Sequence, residues 1–199
     1  MASTLKNLLL IGLLIIGSLL IPTNGTRLNV SFPLVTRSEW SSRTPAKPAS
    51  PLHVLPSPYV IVSHTATGQC NTLARCKSIV HSIQDYHMGQ NGWDDIGYNF
   101  LVGGDGNIYE GRGWDVQGAH TKNYNSKSIG LSFIGNFNKE QPTDAQLEAA
   151  KSFLDYGLQN KKISDNYKLL GQRQLISTVS PGDLLYNIIK TWSHWSQTP

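Results

Sequence analysis

A chain of 199 residues, 39% of them hydrophobic, carries enough apolar material for one well-cored domain. Its formal net charge of +4 comes from lysines and arginines that are scattered and never form a block, which excludes a nucleic-acid partner and leaves a polyanionic surface as a compatible one.

Lys6 precedes the apolar run Leu8 to Ile21, and Thr23-Asn24-Gly25 sets small residues after it, so residues 1–25 read as a secretory signal peptide. The run is too short for a membrane span, and no membrane partner is expected. Residues 26–199 are then the mature, secreted, extracellular domain, and losing Lys6 takes the charge from +4 to +3. Asn29-Val30-Ser31 is a glycosylation sequon, a tripeptide common by chance. Residues 26–57 hold Trp40 among prolines and serines without a sustained period, which predicts an extended arm wrapping the domain with Trp40 in the core.

Tyr59 to Ser63 is an apolar, β-branched run and predicts a buried central strand ending at His64-Thr65. The only two cysteines, Cys70 and Cys76, sit in an oxidising compartment if the chain is exported, and are expected to be bridged, contributing about 2 kcal/mol. From Asn71 the positions Leu73, Cys76, Val80, Ile83 and His87 follow helical spacing, with Ile79 and Tyr86 widening the buried stripe, and the helix ends at Gly89. His87 closes that stripe, where a hydrogen-bonded core histidine and a functional one are both open.

The stretch His87 to Asn125 packs two histidines, an arginine, three tyrosines and two tryptophans between glycines, the composition of a groove. Tyr98 to Val102, the turn Gly103-Gly104-Asp105-Gly106 and the return Asn107 to Glu110 predict a β-hairpin. Beyond it Gly111, Gly113 and Gly118 form an irregular loop from which Arg112, Trp114 and His120 are expected to project. Ile129 to Ile134 predicts another central strand, and Tyr167 to Leu170 a further short one. Thr143 followed by Gln146 is a capping box that opens a helix buried through Leu147, Ala150, Leu154 and Leu158. Ser180-Pro181-Gly182-Asp183 predicts the last helix, with Ser180 as its cap and Leu184, Leu185, Ile188, Ile189, Trp192 and Trp195 on its inner face. Strands alternating with helices around one hairpin give an α/β class, a mixed sheet packed by about three helices.

With SHTAT at 63–67, the cysteine pair, GWDDIGYNFLVGGDGNIYEGRGW at 92–114, GAHT at 118–121 and SPGDLLY at 180–186, the chain from about Val35 onward resembles the peptidoglycan recognition proteins. ISTVSPGDLLYNII is similar to the short secreted SA subtype, which acts in Toll signalling in invertebrate immunity. The resemblance implies a central mixed sheet flanked by three helices, shared with phage-type amidases. Catalytic members of the family hold zinc through two histidines and a cysteine. The first histidine matches His64, but Gln172 and Ser180 occupy the other two positions, and an amide and a hydroxyl are poor zinc ligands. The resemblance therefore implies no metal, no cofactor and no amidase activity. A residual amidase or a serine-type peptidase is the alternative.

Ligand contacts carried over from the family fall on His64, Thr65, His87, Tyr98, His120 and Asn125. Gly92, Trp93 and Arg112 match the positions that mark diaminopimelic-type stem peptides, while the SA-like C-terminal third suggests lysine-type walls. Gly92-Trp93 also fits a plain helix-to-strand turn, and Tyr98 a sheet residue with its hydroxyl exposed. The implied partners are bacterial peptidoglycan, a glucan-binding-like recognition protein and a serine protease.

Overall fold

The protein is described over residues 31–199 by a computed structural model, so the expected leader and the Asn29 sequon lie outside the described residues. Strand β2 (Ser57–His64) lies inside a six-stranded sheet with β1 (Leu34–Val35), β3 (Phe100–Val102), β4 (Ile108–Glu110), β5 (Ser128–Phe133) and β6 (Ile163–Gly171). Their spatial order is β1-β4-β3-β5-β2-β6. Only the β3–β4 hairpin is antiparallel, with Leu101 opposite Tyr109; the other neighbours run parallel. The mixed sheet and its three helices, α1 (Leu73–Gly89), α2 (Asp144–Gln159) and α3 (Asp183–Ile189), are those expected.

Successive strand residues face opposite sides, and the alternation splits the core in two. Leu101 and Tyr109 meet Cys76, Ile79, Val80 and Ile83 of α1 together with Trp40. Val60, Val62, Phe100, Val102, Ile129 and Leu131 meet Ala150, Phe153 and Leu154 of α2 and Leu185 and Ile189 of α3. All six residues of β5 are buried, as a parallel strand covered on both faces requires. Trp40 is 2% exposed and its indole N–H donates to the Glu110 carbonyl at 2.8 Å, so the arm is clamped to the hairpin. Cys70 and Cys76 are bridged across a Cα separation of 5.2 Å.

Helix α1 begins at Thr72, whose side chain accepts from the Arg75 amide. The capping box of α2 is formed as expected, and Gln146 does more than cap: wholly buried, it donates from Nε2 to the carbonyls of Val102 and Ile134. The Val102 carbonyl also accepts the Ile134 amide, so one side chain ties α2 to the carboxyl ends of β3 and β5.

Four expectations need correcting. Ser180 does not cap the last helix, because α3 starts later, at Gly182, and the Asp183 amide donates to Asn138 Oδ1. Trp192 and Trp195 lie beyond the end of α3; a bridge between Leu169 and Trp195 extends the β6 edge instead. Trp114 does not project from its loop but stacks on Phe153, ring centroids 4.3 Å apart, within the α2-side core. On α1, Leu73 and Tyr86 are exposed at 46% and 58%, since a seventeen-residue helix has more apolar face than the short hairpin beneath it covers. Among the described residues no helix is long and apolar enough to cross a membrane.

Candidate functional site

Parallel strands end together, and the carboxyl ends of β2, β5 and β6 bring His64, Phe133 and Gly171 to one edge, where open α/β sheets commonly bind ligands. His64 is 7% exposed, and its Nδ1 accepts the Phe137 amide at 3.3 Å, which leaves Nε2 carrying the proton of the neutral ring. Burial, with the Arg173 charge second, holds its pKa below the usual histidine range. Ser180 lies against it: the buried serine Oγ accepts the His64 backbone N–H at 3.0 Å. Gln172 opens a short 3-10 turn (Gln172–Gln174) after β6, and its Nε2 donates to the His120 carbonyl at 2.6 Å. Among the described residues no group of three His, Cys, Asp or Glu side chains is placed to hold a metal.

Two cavities flank this edge on the α1 side. The first, about 510 Å³, is lined by Thr65, Thr67, Arg75, Ser78, Ile79, Ser82, Ile83, Tyr86, His87 and Tyr98. The second, about 350 Å³, is lined by Trp93, His120, Asn125 and the loop residues between 119 and 123. They meet at His87 and Trp93, whose rings are 4.7 Å apart. Of the residues expected from the sequence, the fold thus gathers Thr65, His87 and Tyr98 on one side of that junction and Trp93, His120 and Asn125 on the other.

Each of these side chains is held by backbone chemistry. His87 Nδ1 accepts the Gly97 amide at 3.0 Å, so its neutral ring also keeps the proton on Nε2. Burial and then the Arg112 charge push it down to about 4, with Asp95 opposing. Gly92 has φ +66°, a conformation suited to glycine, and swings the chain so that the Trp93 amide donates to the His87 carbonyl. Trp93 then packs over Gly97, where a Cβ would lie 2.7 Å from its Cζ3. The turn reading of Gly92-Trp93 and the groove reading are therefore one structure.

His120 occupies the space that two glycines vacate. A Cβ on Gly130 would stand 2.6 Å from His120 Cγ, and one on Gly118 would also strike the ring. Its Nδ1 pairs with Thr121 Oγ1 at 3.0 Å, while Nε2 is buried without a partner among the described residues. Burial, then the Arg112 charge, depresses its pKa to about 3. Asn125 fixes the loop by accepting the amides of His120 and Thr121 at its Oδ1. Burial raises the Tyr98 phenol, partly offset by Ser132, so it stays a protonated donor.

Arg112 lines neither cavity. It borders a pocket of about 60 Å³ with Lys47, Asp94 and Asp95, its Nε donating to the Ile96 carbonyl and one Nη to the Gln117 carbonyl. Its influence on both histidines is electrostatic.

Two groups of site residues escaped the sequence reading. Arg75, Ser78, Ser82 and Tyr86 form the cavity wall of α1, and their spacing of three and four was a legible second stripe beside the buried one. Asn99, wholly buried, donates to the carbonyls of Gly113 and Val116 and accepts the Gly130 amide, tying the Arg112 loop to the strand under His120. A polar residue just before a buried apolar strand was its only signal.

Residues 54–183 match the family model described as N-acetylmuramoyl-L-alanine amidase. The chain is similar to peptidoglycan-recognition protein SC2 of Drosophila melanogaster, 48% identical over 162 residues, which are 81% of this chain and 87% of the relative. Peptidoglycan-recognition protein SA of the same organism is 47% identical over 155 residues, covering 77% of this chain and 76% of the relative. Among solved structures, peptidoglycan recognition protein LE in complex with tracheal cytotoxin, a monomeric diaminopimelic acid-type peptidoglycan, superposes with a TM-score of 0.80. It is 45% identical, with 82% of this chain and 95% of that chain covered.

Proposed function

Since the chain belongs to the peptidoglycan-recognition protein family, we propose that it captures bacterial peptidoglycan in its two-part groove and does not cleave it. The observation that carries the binding half is the junction of His87 and Trp93, where two largely apolar cavities that carry a few polar groups adjoin on the face that bears Tyr98 and His120. A muramyl peptide presents amides, a lactyl carbonyl and carboxylates. Neutral imidazoles, a protonated phenol and threonine hydroxyls pair such groups, while Trp93 and Tyr86 cover the apolar parts.

The non-cleaving half rests on donor chemistry. Zinc hydrolysis needs three protein ligands and an open position for water. Of the implied positions only His64 offers a zinc-seeking group. Ser180 accepts the backbone amide of His64 and Gln172 donates to His120, so neither fits as a ligand. We assign no hydrolytic step to this site.

The finer reading is a secreted sensor that prefers diaminopimelic-type stems, with lysine-type stems as weaker ligands. Arg112 enters this reading by its place in the sequence: it lines neither half of the groove, its Nε and one Nη are held by the Ile96 and Gln117 carbonyls, and its remaining Nη is the group left to meet an additional carboxylate. The solved relative bound to a diaminopimelic-type fragment supports the same preference. Signalling of the Toll or prophenoloxidase kind, through a glucan-binding-like recognition protein and a serine protease, completes the proposal. The decisive assay incubates the purified chain with insoluble peptidoglycan. Retention in the pellet without release of stem peptides is expected; a chain left in the supernatant refutes binding, and liberated stem peptides establish a hydrolase instead.

A further inference from the structure

A third large cavity lies on the other face of the sheet, about 490 Å³ in volume, between α2, β6 and the C-terminal segment. Its lining includes Leu154, which belongs to the α2-side core, so the sheet separates it from the groove beside α1. Its size falls within the range of small-ligand sites.

Its chemistry is specific. Tyr167 is 3% exposed, yet its hydroxyl has no hydrogen-bond partner among the described residues and is not sealed from the cavity. The ring is fixed by stacking on His194, centroids 4.3 Å apart. Burial, then the charge of Asp155, keeps the phenol protonated, so it is a donor lining the same cavity as the Asp155 carboxyl group. Lys151, one helical turn before Asp155 on α2, holds its ammonium 5.6 Å from the Trp192 ring centroid. Neither Lys151 nor Asp155 is in an ion pair among the described residues. Leu154, Leu158 and Trp192 supply an apolar wall.

We infer that this cavity is a saccharide site, taking a neutral pyranose whose adjacent hydroxyls pair with Tyr167 and Asp155 while its carbon face lies on the Leu158 and Trp192 wall. A wholly apolar ligand would leave the phenol and the carboxylate without partners. An anion would meet one ammonium beside one carboxylate, a field with little net attraction. A vicinal diol satisfies both oxygen groups together, one hydroxyl accepting from Tyr167 and its neighbour donating to Asp155, and Lys151 donates to a third oxygen. The inference goes beyond the groove, and a chain using both faces would hold two glycan strands at once.

The test titrates the purified chain with peptide-free tetramers, β-1,4-linked N-acetylglucosamine and cellotetraose, by calorimetry. Saturable binding of at least one tetramer is expected, undiminished when the groove is saturated with a muropeptide. Tyr167→Phe, which keeps the stack on His194, and Asp155→Asn should each weaken it by about tenfold, the effect of one lost hydrogen bond. Affinity of both variants for a soluble monomeric muropeptide, read at the groove, should be unchanged. No saturable binding, binding indifferent to both substitutions, or displacement by muropeptide overturns the assignment. Loss of peptidoglycan retention by the unsubstituted chain would instead strike the groove reading, and the tetramer titration would still decide this one.

Discussion

Ser180 Oγ accepts the backbone N–H of His64 at 3.0 Å, across 116 residues of sequence. Both residues are buried, so the contact joins the end of β2 to the segment before α3 at the carboxyl edge of the sheet. Gln172→His with Ser180→Cys should convert that edge into a zinc site, giving stoichiometric metal by elemental analysis after dialysis. A metal-free double variant means that the three positions do not converge on one ion. Ser180→Ala alone should cost about 1 to 3 kcal/mol in urea unfolding, since it leaves a buried amide without an acceptor.

Gly130 should tolerate no side chain while His120 is present. Gly130→Ala forces the His120 ring out of its slot, and an overpacked strand of this kind loses about 1 to 3 kcal/mol. Adding His120→Ala to Gly130→Ala should restore most of the stability and none of the muropeptide affinity. Denaturant midpoints and binding isotherms on the two variants separate these effects; recovery of binding along with stability would remove His120 from the groove.

Acid should destabilise the fold before carboxylates dominate. His120 and His87 are depressed to about 3 and about 4 from an unfolded value of 6.5. Between those limits the unfolded chain binds protons that the folded chain refuses. Their contribution is therefore fully present above about pH 6.5 and is lost as pH falls toward 4, by about 1.4 kcal/mol per pH unit for each histidine. Urea titrations at pH 7, 6 and 5 measure it, and His87→Gln should flatten the slope. A slope unchanged in that variant would show that His87 is not held neutral.

Arg112 should discriminate between stems and also hold its loop. Arg112→Lys keeps a charge but cannot donate to Ile96, Gln117 and a ligand carboxylate from one planar fork. Preference for diaminopimelic over lysine-type muropeptides should fall by about tenfold to a hundredfold, with thermal stability lowered modestly. Equal losses for both ligands would make Arg112 a loop anchor only.

Local signals read well where chemistry is local. The cap at Thr143 and Gln146, the glycine turn of the hairpin and the disulfide of Cys70 with Cys76 each involve groups a few residues apart, and each stands as expected. Errors arose where one residue had two plausible employments. Serine before Pro-Gly is a common helix cap, but only a folded chain can offer it the amide of His64. Trp114 sits between glycines as a ligand-facing ring would, yet the flat face of Phe153 lies within reach.

By itself, the order of residues determined that apolar runs of period two and stripes of period three to four would make a mixed sheet covered by helices, and it set histidines, an arginine and aromatic rings into a glycine-rich stretch. Those properties follow from bonding and hydration within a few residues of each other. Which nitrogen of the neutral His87 ring keeps its proton, which loop carbonyls hold Arg112, and that Tyr167 and Asp155 line one cavity were decided only by tertiary packing. A side chain's partner, burial and charge state depend on groups distant along the chain, and close packing alone brings those groups within bonding range.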